Sequence, residues 1–342
     1  MKHKNIPVFI PHLGCPNDCV FCNQRTISGT AEFREPDVKD IIERALSTLG
    51  PGDDAEIAFF GGSFTGIDRD LMIRLLTLAD TYVADGRVSS VRCSTRPDYI
   101  DGEILDILAS HSVKTVELGI QSMNARVLEI CRRGHTPEDS GRACEMLTRR
   151  GFSLVGQMMT GLPGSSSEDE VLTAEKICSM GASAARVYPT VVFRGTKLAQ
   201  MAQSGQYEPL TDDEAAERTA QVLRVFDKHG VPVIRVGLCS SENLSSPEEV
   251  YGGASHPAVG EMAMSRLFLE YMTAAADELI ASGKRGATLL IGVPQGAVSK
   301  AAGQHRSNTG ALTERYAPYG IKHVKYSEDR SLAGYRITAD II

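Results

Sequence analysis

The chain has 342 residues, 42% hydrophobic and 23% charged, with a formal net charge of −7. That profile predicts a soluble globular protein with one large domain or two ordinary ones. It excludes a membrane-spanning chain, since no apolar run approaches the roughly 20 residues a helix needs to cross a bilayer. The apolar stretch after the basic start Met1–Lys4 is too short for a signal-peptide core, so the expected location is cytoplasmic, with no membrane partner. Eight cysteines in so long a chain do not make a disulfide scaffold. Three of them, Cys15, Cys19 and Cys22, fall within eight positions, and the rest are scattered.

In chain order, predicted strands lie at Val8–Pro11, Glu56–Phe60, Ser90–Ser94, Thr115–Gly119, Ser153–Met158, Ala184–Tyr188 and Pro232–Val236. Between them are helical patterns at Asp37–Leu49, Asp68–Ala84, Asp101–Ser110, Ala125–Cys131, Thr136–Arg150, Ser167–Met180 and Thr211–Lys228. Two of these open on capping sequences, Thr136-Pro137-Glu138-Asp139 and Ser166-Ser167-Glu168-Asp169,. Alternation over more than 200 residues predicts parallel β/α units, as a closed or partial barrel or as an open doubly wound sheet. The regularity breaks near Cys239. Ser240–Pro247 reads as a linker or long loop, followed by a helix at Val259–Ser282, a strand at Ala287–Val293 and a mixed tail,. The expected domains are 1–236 and 237–342. From Gly283 on, nine Lys or Arg stand against four acids, a net +5 that leaves −12 on the preceding residues. Such asymmetry marks either a polyanion-binding region or an ordinary solvated face.

The chemistry centres on Cys15-Pro16-Asn17-Asp18-Cys19-Val20-Phe21-Cys22, just after the first predicted strand, where parallel β/α folds place their sites,. Three thiolates on one loop suit three corners of a 4Fe-4S cube. No fourth cysteine follows at ferredoxin-like spacing, so one iron would stay open to a ligand. The competing readings are a zinc site completed by His12 and chance clustering. A second motif, Phe59-Phe60-Gly61-Gly62-Ser63-Phe64-Thr65-Gly66, follows the second strand; adjacent glycines let backbone approach a ligand closely,.

The Cys-x3-Cys-x2-Cys loop, with Phe21 before its last cysteine, resembles the radical S-adenosylmethionine superfamily. The resemblance implies a partial parallel (β/α)6 barrel with a small α/β C-terminal extension. It also implies S-adenosylmethionine bound at the open iron and a 5′-deoxyadenosyl radical made by reductive cleavage. An electron donor of flavodoxin or ferredoxin type follows from the same resemblance. The ordered motifs Ser94-Thr95-Arg96-Pro97-Asp98, Glu117-Leu118-Gly119-Ile120-Gln121-Ser122, Arg132-Arg133-Gly134-His135-Thr136 and Met159-Thr160-Gly161-Leu162-Pro163-Gly164 look like the radical domain of the Elongator catalytic subunit. More loosely, they look like oxygen-independent coproporphyrinogen oxidase. By that resemblance Gly61, Gly62, Ser63 and Phe64 form the loop for the methionyl end of the cofactor. Gln121 and Arg133 contact it, Arg133 at the carboxylate, and Met159 packs on the adenine. Ser94 stands where the family has a ribose-binding glutamate. Replacing Gly62 by valine is expected to block the cofactor and spare the iron.

Nothing in the sequence resembles an acetyl-coenzyme A loop. The tail instead resembles a bacterial radical-protein C-terminal domain through Gly252–Glu261 and Gly303–Asn308. His256, Glu261, His305 and Arg306 are its candidates for the barrel mouth. The expected function is radical modification of an RNA base, with tRNA as the favoured partner. The alternatives are a small-molecule substrate such as a tetrapyrrole, and a noncatalytic RNA-binding or cluster-carrying module. The acidic whole (pI 5.7) argues against strong nonspecific RNA binding,.

Overall fold

The structure is a computed structural model that describes residues 3–11, 13–15, 19–23, 33–50, 52–238 and 248–342. His12, Cys239 and the predicted linker 240–247 lie outside the described residues. One sheet holds, in order, β1 (His3–Phe9), β2 (Asp54–Phe60), β3 (Ser90–Thr95), β4 (Val113–Gln121), β5 (Ser153–Thr160) and β6 (Ala184–Pro189). It bypasses a short β7 (Val191–Phe193) and ends on β8 (Val233–Val236). All its pairings are parallel. The expected six β/α units are present, and β8 adds a seventh strand, so the sheet curls into a half-barrel.

The crossovers are helical, as parallel pairing requires: α1 (Val38–Leu46), α2 (Arg69–Ala84), α3 (Gly102–Ser110), α4 (Ala125–Ile130) with α5 (Pro137–Arg149), α6 (Ser167–Ser179), and α7 (Lys197–Gln203) with α8 (Asp212–Lys228). Their starts follow from sequence. Thr136, Ser166 and Thr211 close reciprocal capping boxes with Asp139, Asp169 and Glu214,. Asp68 and Asp101 accept from the third amide of their helices,. The outer sheet face supplies Ile57, Phe59, Val91, Val116, Leu118 and Val187, packed beneath Leu75, Leu105, Leu147, Ile177 and Phe226 of the helices. Each such side chain contributes roughly 1.5–3 kcal/mol on burial.

Beyond the barrel, β9 (Val250–Gly253) pairs antiparallel with β7. The long α9 (Val259–Ala281) serves two cores: Ala263 and Leu267 join the barrel, while Phe268, Met272 and Ala276 join a second cluster. That cluster sits under a three-stranded sheet, with β10 (Thr288–Pro294) at its centre. β11 (His323–Asp329) pairs parallel to β10, and β12 (Thr338–Ile341) antiparallel. Two helices, α10 (Val298–Ala302) and α11 (Ser307–Tyr316), complete the extension. Among the described residues no helix is long and apolar enough to cross a membrane.

Candidate active site

The loops after β1 and β2 are locked together at the carboxyl-terminal rim. Ile10 N–H donates to Phe60 O at 2.7 Å, and Ser63 N–H to Leu13 O at 3.2 Å. The locking depends on two glycines. A Cβ on Gly62 would lie 2.4 Å from Leu13 O and 2.8 Å from Ile10 O; one on Gly14, whose φ is +71°, would lie 2.2 Å from Ser63 O. Gly62 is therefore spent on holding the cysteine loop, which corrects the expectation that a larger residue there would spare the iron. Gly61 has φ +103°, a region that glycine alone enters without strain,.

The other end of the cysteine loop is tied down by packing. Val20 is buried with Val127, Cys131, Leu162 and Leu198, with Phe21 and Met159 at the margin of the cluster. Val20 N–H donates to Cys131 O at 3.2 Å, Leu198 N–H to Val20 O at 2.8 Å, and Cys22 N–H to Cys19 O at 3.0 Å. Cys15, Cys19 and Cys22 are all half-buried. Among the described residues no three His, Cys, Asp or Glu side chains converge on a single-ion position. A cubane asks for something else, one thiolate on each of three irons.

Two arginines meet this loop. Arg133 is buried, lies between a left-handed Arg132 (φ +53°) and Gly134 (φ +74°), and donates to Cys19 Sγ at 3.2 Å and to Gly119 O at 2.8 Å. Sequence reasoning missed Arg96. It is 3% exposed, pairs with both carboxylate oxygens of Asp98 at 2.9 Å, and also donates to the Arg133 carbonyl. Burial and the neighbouring Cys19 push the Cys15 thiol up, while Arg96 and Arg133 pull it back down. Gln121 ends β4 at a register shift with φ +66°, a left-handed conformation that costs a non-glycine residue about 1–3 kcal/mol,. Its Oε1 is buried without a partner, as is Arg96 Nη1.

The remaining expected residues divide. Ser94 is half-buried, on the same sheet face as its register neighbour Glu117. Met159 flanks the cysteine cluster. Ser63 is wholly buried and its hydroxyl meets Thr95 Oγ1 at 3.0 Å, so only its backbone faces the rim. Phe64 is corrected: its ring is 2% exposed and stacks on Phe59 at 4.6 Å, as part of the core. His256 is exposed, its Nδ1 accepting from Ala258 N–H at the start of α9, and Glu261 is exposed on that helix. His305 and Arg306 belong to the C-terminal extension, so the four tail candidates are not brought together as one group.

Below the rim the barrel is filled by a charge-balanced network that the sequence did not disclose. Arg92 donates to Glu56 at 2.6 Å and to Glu117 at 2.7 Å. Glu117 also accepts from Gln157 at 2.7 Å and from Arg186 at 2.9 Å. The Arg186 guanidinium lies 5.5 Å from the Phe60 ring centre. Tyr188, two residues on, shares this face, and burial pushes its phenol up.

Residues 9–177 match the model of the radical SAM superfamily and 182–268 that of the radical SAM C-terminal domain. An uncharacterized protein of Methanocaldococcus jannaschii is 31% identical over 73% of this chain and 78% of its own length. The chain belongs to the radical SAM superfamily. The tRNA uridine(34) acetyltransferase of the same organism is 30% identical over 48% of the chain, and human Elongator complex protein 3 is 27% identical over 65%. The chain spans only 31% and 43% of those two relatives. In fold it matches the N-terminally truncated Methanocaldococcus infernus Elp3, with a TM-score of 0.59 at 19% identity, over 83% of this chain and 64% of that one.

As a radical SAM enzyme the protein works with a 4Fe-4S cluster and S-adenosylmethionine. The residues present fit both groups. The rim offers three thiols, two guanidiniums to offset an anionic cluster, and the paired orphans Gln121 Oε1 and Arg96 Nη1. One is an acceptor and the other a donor, as an amino-acid zwitterion would require.

Proposed function

We propose that Cys15, Cys19 and Cys22 hold the cluster and that S-adenosylmethionine lies across the rim against the Gly61–Gly62 backbone, Gln121 and Arg133. Met159 would cover the adenine and Ser94 would face the ribose. The observation that carries this reading is the Arg133 guanidinium on Cys19 Sγ at 3.2 Å, which sets a fixed cation beside the ligand loop. When bound, the cluster supplies one electron to cleave the sulfonium and release a 5′-deoxyadenosyl radical. The chain's own part is to orient the cofactor, to exclude water through the Val20 cluster, and to shape the lumen with the Glu56–Arg92–Glu117–Arg186 network. The substrate is a base of RNA, with tRNA as the class, and a flavodoxin- or ferredoxin-type protein supplies the electron. Two relatives with tRNA or Elongator names and the basic excess after Gly283 support that choice. Residues 237–342 then serve as the substrate-holding extension.

The test is anaerobic reconstitution, reduction with dithionite, and assay of 5′-deoxyadenosine with and without a tRNA pool, followed by nucleoside mass spectrometry. Cofactor cleavage that tRNA stimulates, with a new nucleoside mass, is the expected result. Cleavage unaffected by tRNA and stimulated by a tetrapyrrole would move the assignment to a small molecule. No cleavage in iron-replete protein would make the chain a noncatalytic module.

A further inference from the structure

The C-terminal sheet lies beyond residue 268, where both family models end. At its edge is a cavity of about 470 Å³, between α10 and the outer strand β11. Its walls include Val298, Ser299, Ala302, Arg306, Lys325 and Tyr326. The volume is that of a small-ligand site. One side is apolar, and the other carries two exposed cations from segments far apart in sequence.

The cations are set differently from their neighbours. In the same extension Lys284 is paired with Asp340 at 2.9 Å and Arg315 with Asp277 at 3.0 Å. Arg285 is turned onto the carbonyls of Ile280 and Lys284. Among the described residues Arg306 and Lys325 form no ion pair. The nearby carboxylate of Glu328 is engaged by Gly296 N–H at 2.9 Å, and that of Asp329 by Ser331.

Arg306 is also held in place at a conformational cost. It and His305 are consecutive non-glycine residues in the left-handed region, at φ +62° and +51°,. The turn is pinned from both sides. Gly303 is in contact with Ser307 and Asn308, and buried Asn308 donates to Ser265 O at 2.8 Å and to Ala301 O at 3.0 Å. Tyr326 is steadied by Thr309 at 3.2 Å. Two fixed cations over an apolar wall and a tyrosine match one nucleotide unit of an RNA strand: phosphate on the guanidinium and ammonium, sugar and base on the wall.

We infer that this cavity binds a backbone phosphate of the RNA substrate between Arg306 and Lys325, as an anchor remote from the radical site. The inference rests on the RNA reading above. Its test compares wild type with Arg306→Gly/Lys325→Ala. Glycine keeps the left-handed backbone without strain, so the fold is spared. Arg149→Ala, an exposed cation on the barrel, is the control. Filter binding of a tRNA pool is read across a salt series, alongside iron content and cofactor cleavage without tRNA. The double variant should keep its cluster and uncoupled cleavage. It should bind tRNA about eightfold more weakly at 0.1 M salt for one lost contact, and about sixtyfold for two. Its log–log salt slope should flatten by about 0.9 per contact. If wild type binds with a steep slope and the double variant behaves identically, the cavity assignment is overturned and the RNA reading stands. If wild type does not bind tRNA at low salt, the RNA reading itself is overturned. Loss of binding in Arg149→Ala as large as in the double variant would also overturn the inference, since the effect would then be diffuse charge.

Discussion

Substituting Gly62 tests how the cluster loop is built. A methyl group at this position would sit 2.4 Å from Leu13 O, where ordinary contacts begin at 3.4 Å, so one of the two backbone segments must retreat by about 1 Å. Neither obstacle is a flexible side-chain end; both are carbonyls of the segment that leads into Cys15. Overpacking of this kind costs about 1–3 kcal/mol, and it falls on the loop that must hold Cys15, Cys19 and Cys22 in register. Gly62→Ala should therefore reconstitute with less iron than wild type, and Gly62→Val with less again. Cofactor binding should fall in step with iron. Gly102→Ala is the control: nothing lies within 4 Å of its added methyl group, and an alanine in place of a helical glycine gains up to about 1 kcal/mol. The measurement is iron and acid-labile sulfide per chain after anaerobic reconstitution, with thermal unfolding of the unreconstituted proteins. A Gly62→Val protein with full iron and lost cofactor binding would refute the reasoning and return the glycine pair to a direct ligand role.

Arg133→Ala should weaken S-adenosylmethionine binding to the reconstituted protein by about 1.5–3 kcal/mol, the range for a charged hydrogen bond; calorimetric titration checks it, and unchanged affinity would remove Arg133 from the pocket. Glu117→Ala strips the shared carboxylate from Arg92 and Arg186 inside the barrel and should cost about 3–5 kcal/mol in urea unfolding, against less for Glu117→Gln. His135 is 4% exposed and burial beside Arg133 pushes its pKa down to about 4. Only the unfolded chain then takes a proton between the ordinary value near 6.5 and 4, so stability should be flat above about pH 6.5 and fall by up to about 3 kcal/mol as pH drops to 4. His135→Gln should lose that slope.

Much of this was legible in sequence because it is local. Capping boxes at Thr136 and Ser166, the strand–helix alternation and the cysteine spacing each depend on residues within a few positions of one another. What was not legible depends on pairing across the sheet. Glu117 belongs to a quoted motif, yet its partners Arg92, Gln157 and Arg186 lie on three other strands, and charged residues alternating in a strand read equally well as a solvent face. Arg96 was likewise in view without a role, since its approach to the cysteines runs through Asp98 and the Arg133 carbonyl. Phe64 misled by adjacency: it neighbours the glycine loop in sequence, but its ring turns back onto Phe59. The short β7 and α7 offered too few residues for a period to show.

The two groups of charges in the barrel do different work. In the lumen, Glu56 and Glu117 against Arg92 and Arg186 cancel, and each charge is hydrogen-bonded at 2.6–2.9 Å. A neutral, fully paired network presents shape and hydrogen bonds to whatever enters, and it would neither attract nor repel a polyanion by net charge. At the rim, Arg96 and Arg133 share one carboxylate, Asp98, so a positive excess remains beside three thiols. That excess is matched by an anionic cluster, which leaves little for a substrate's phosphates. An RNA substrate must then be held by charge elsewhere, while its base is admitted to a lumen that selects by fit. The unpaired Arg306 and Lys325 on the far extension meet that requirement, and the −12 carried before Gly283 explains why such an anchor would be confined to the tail,.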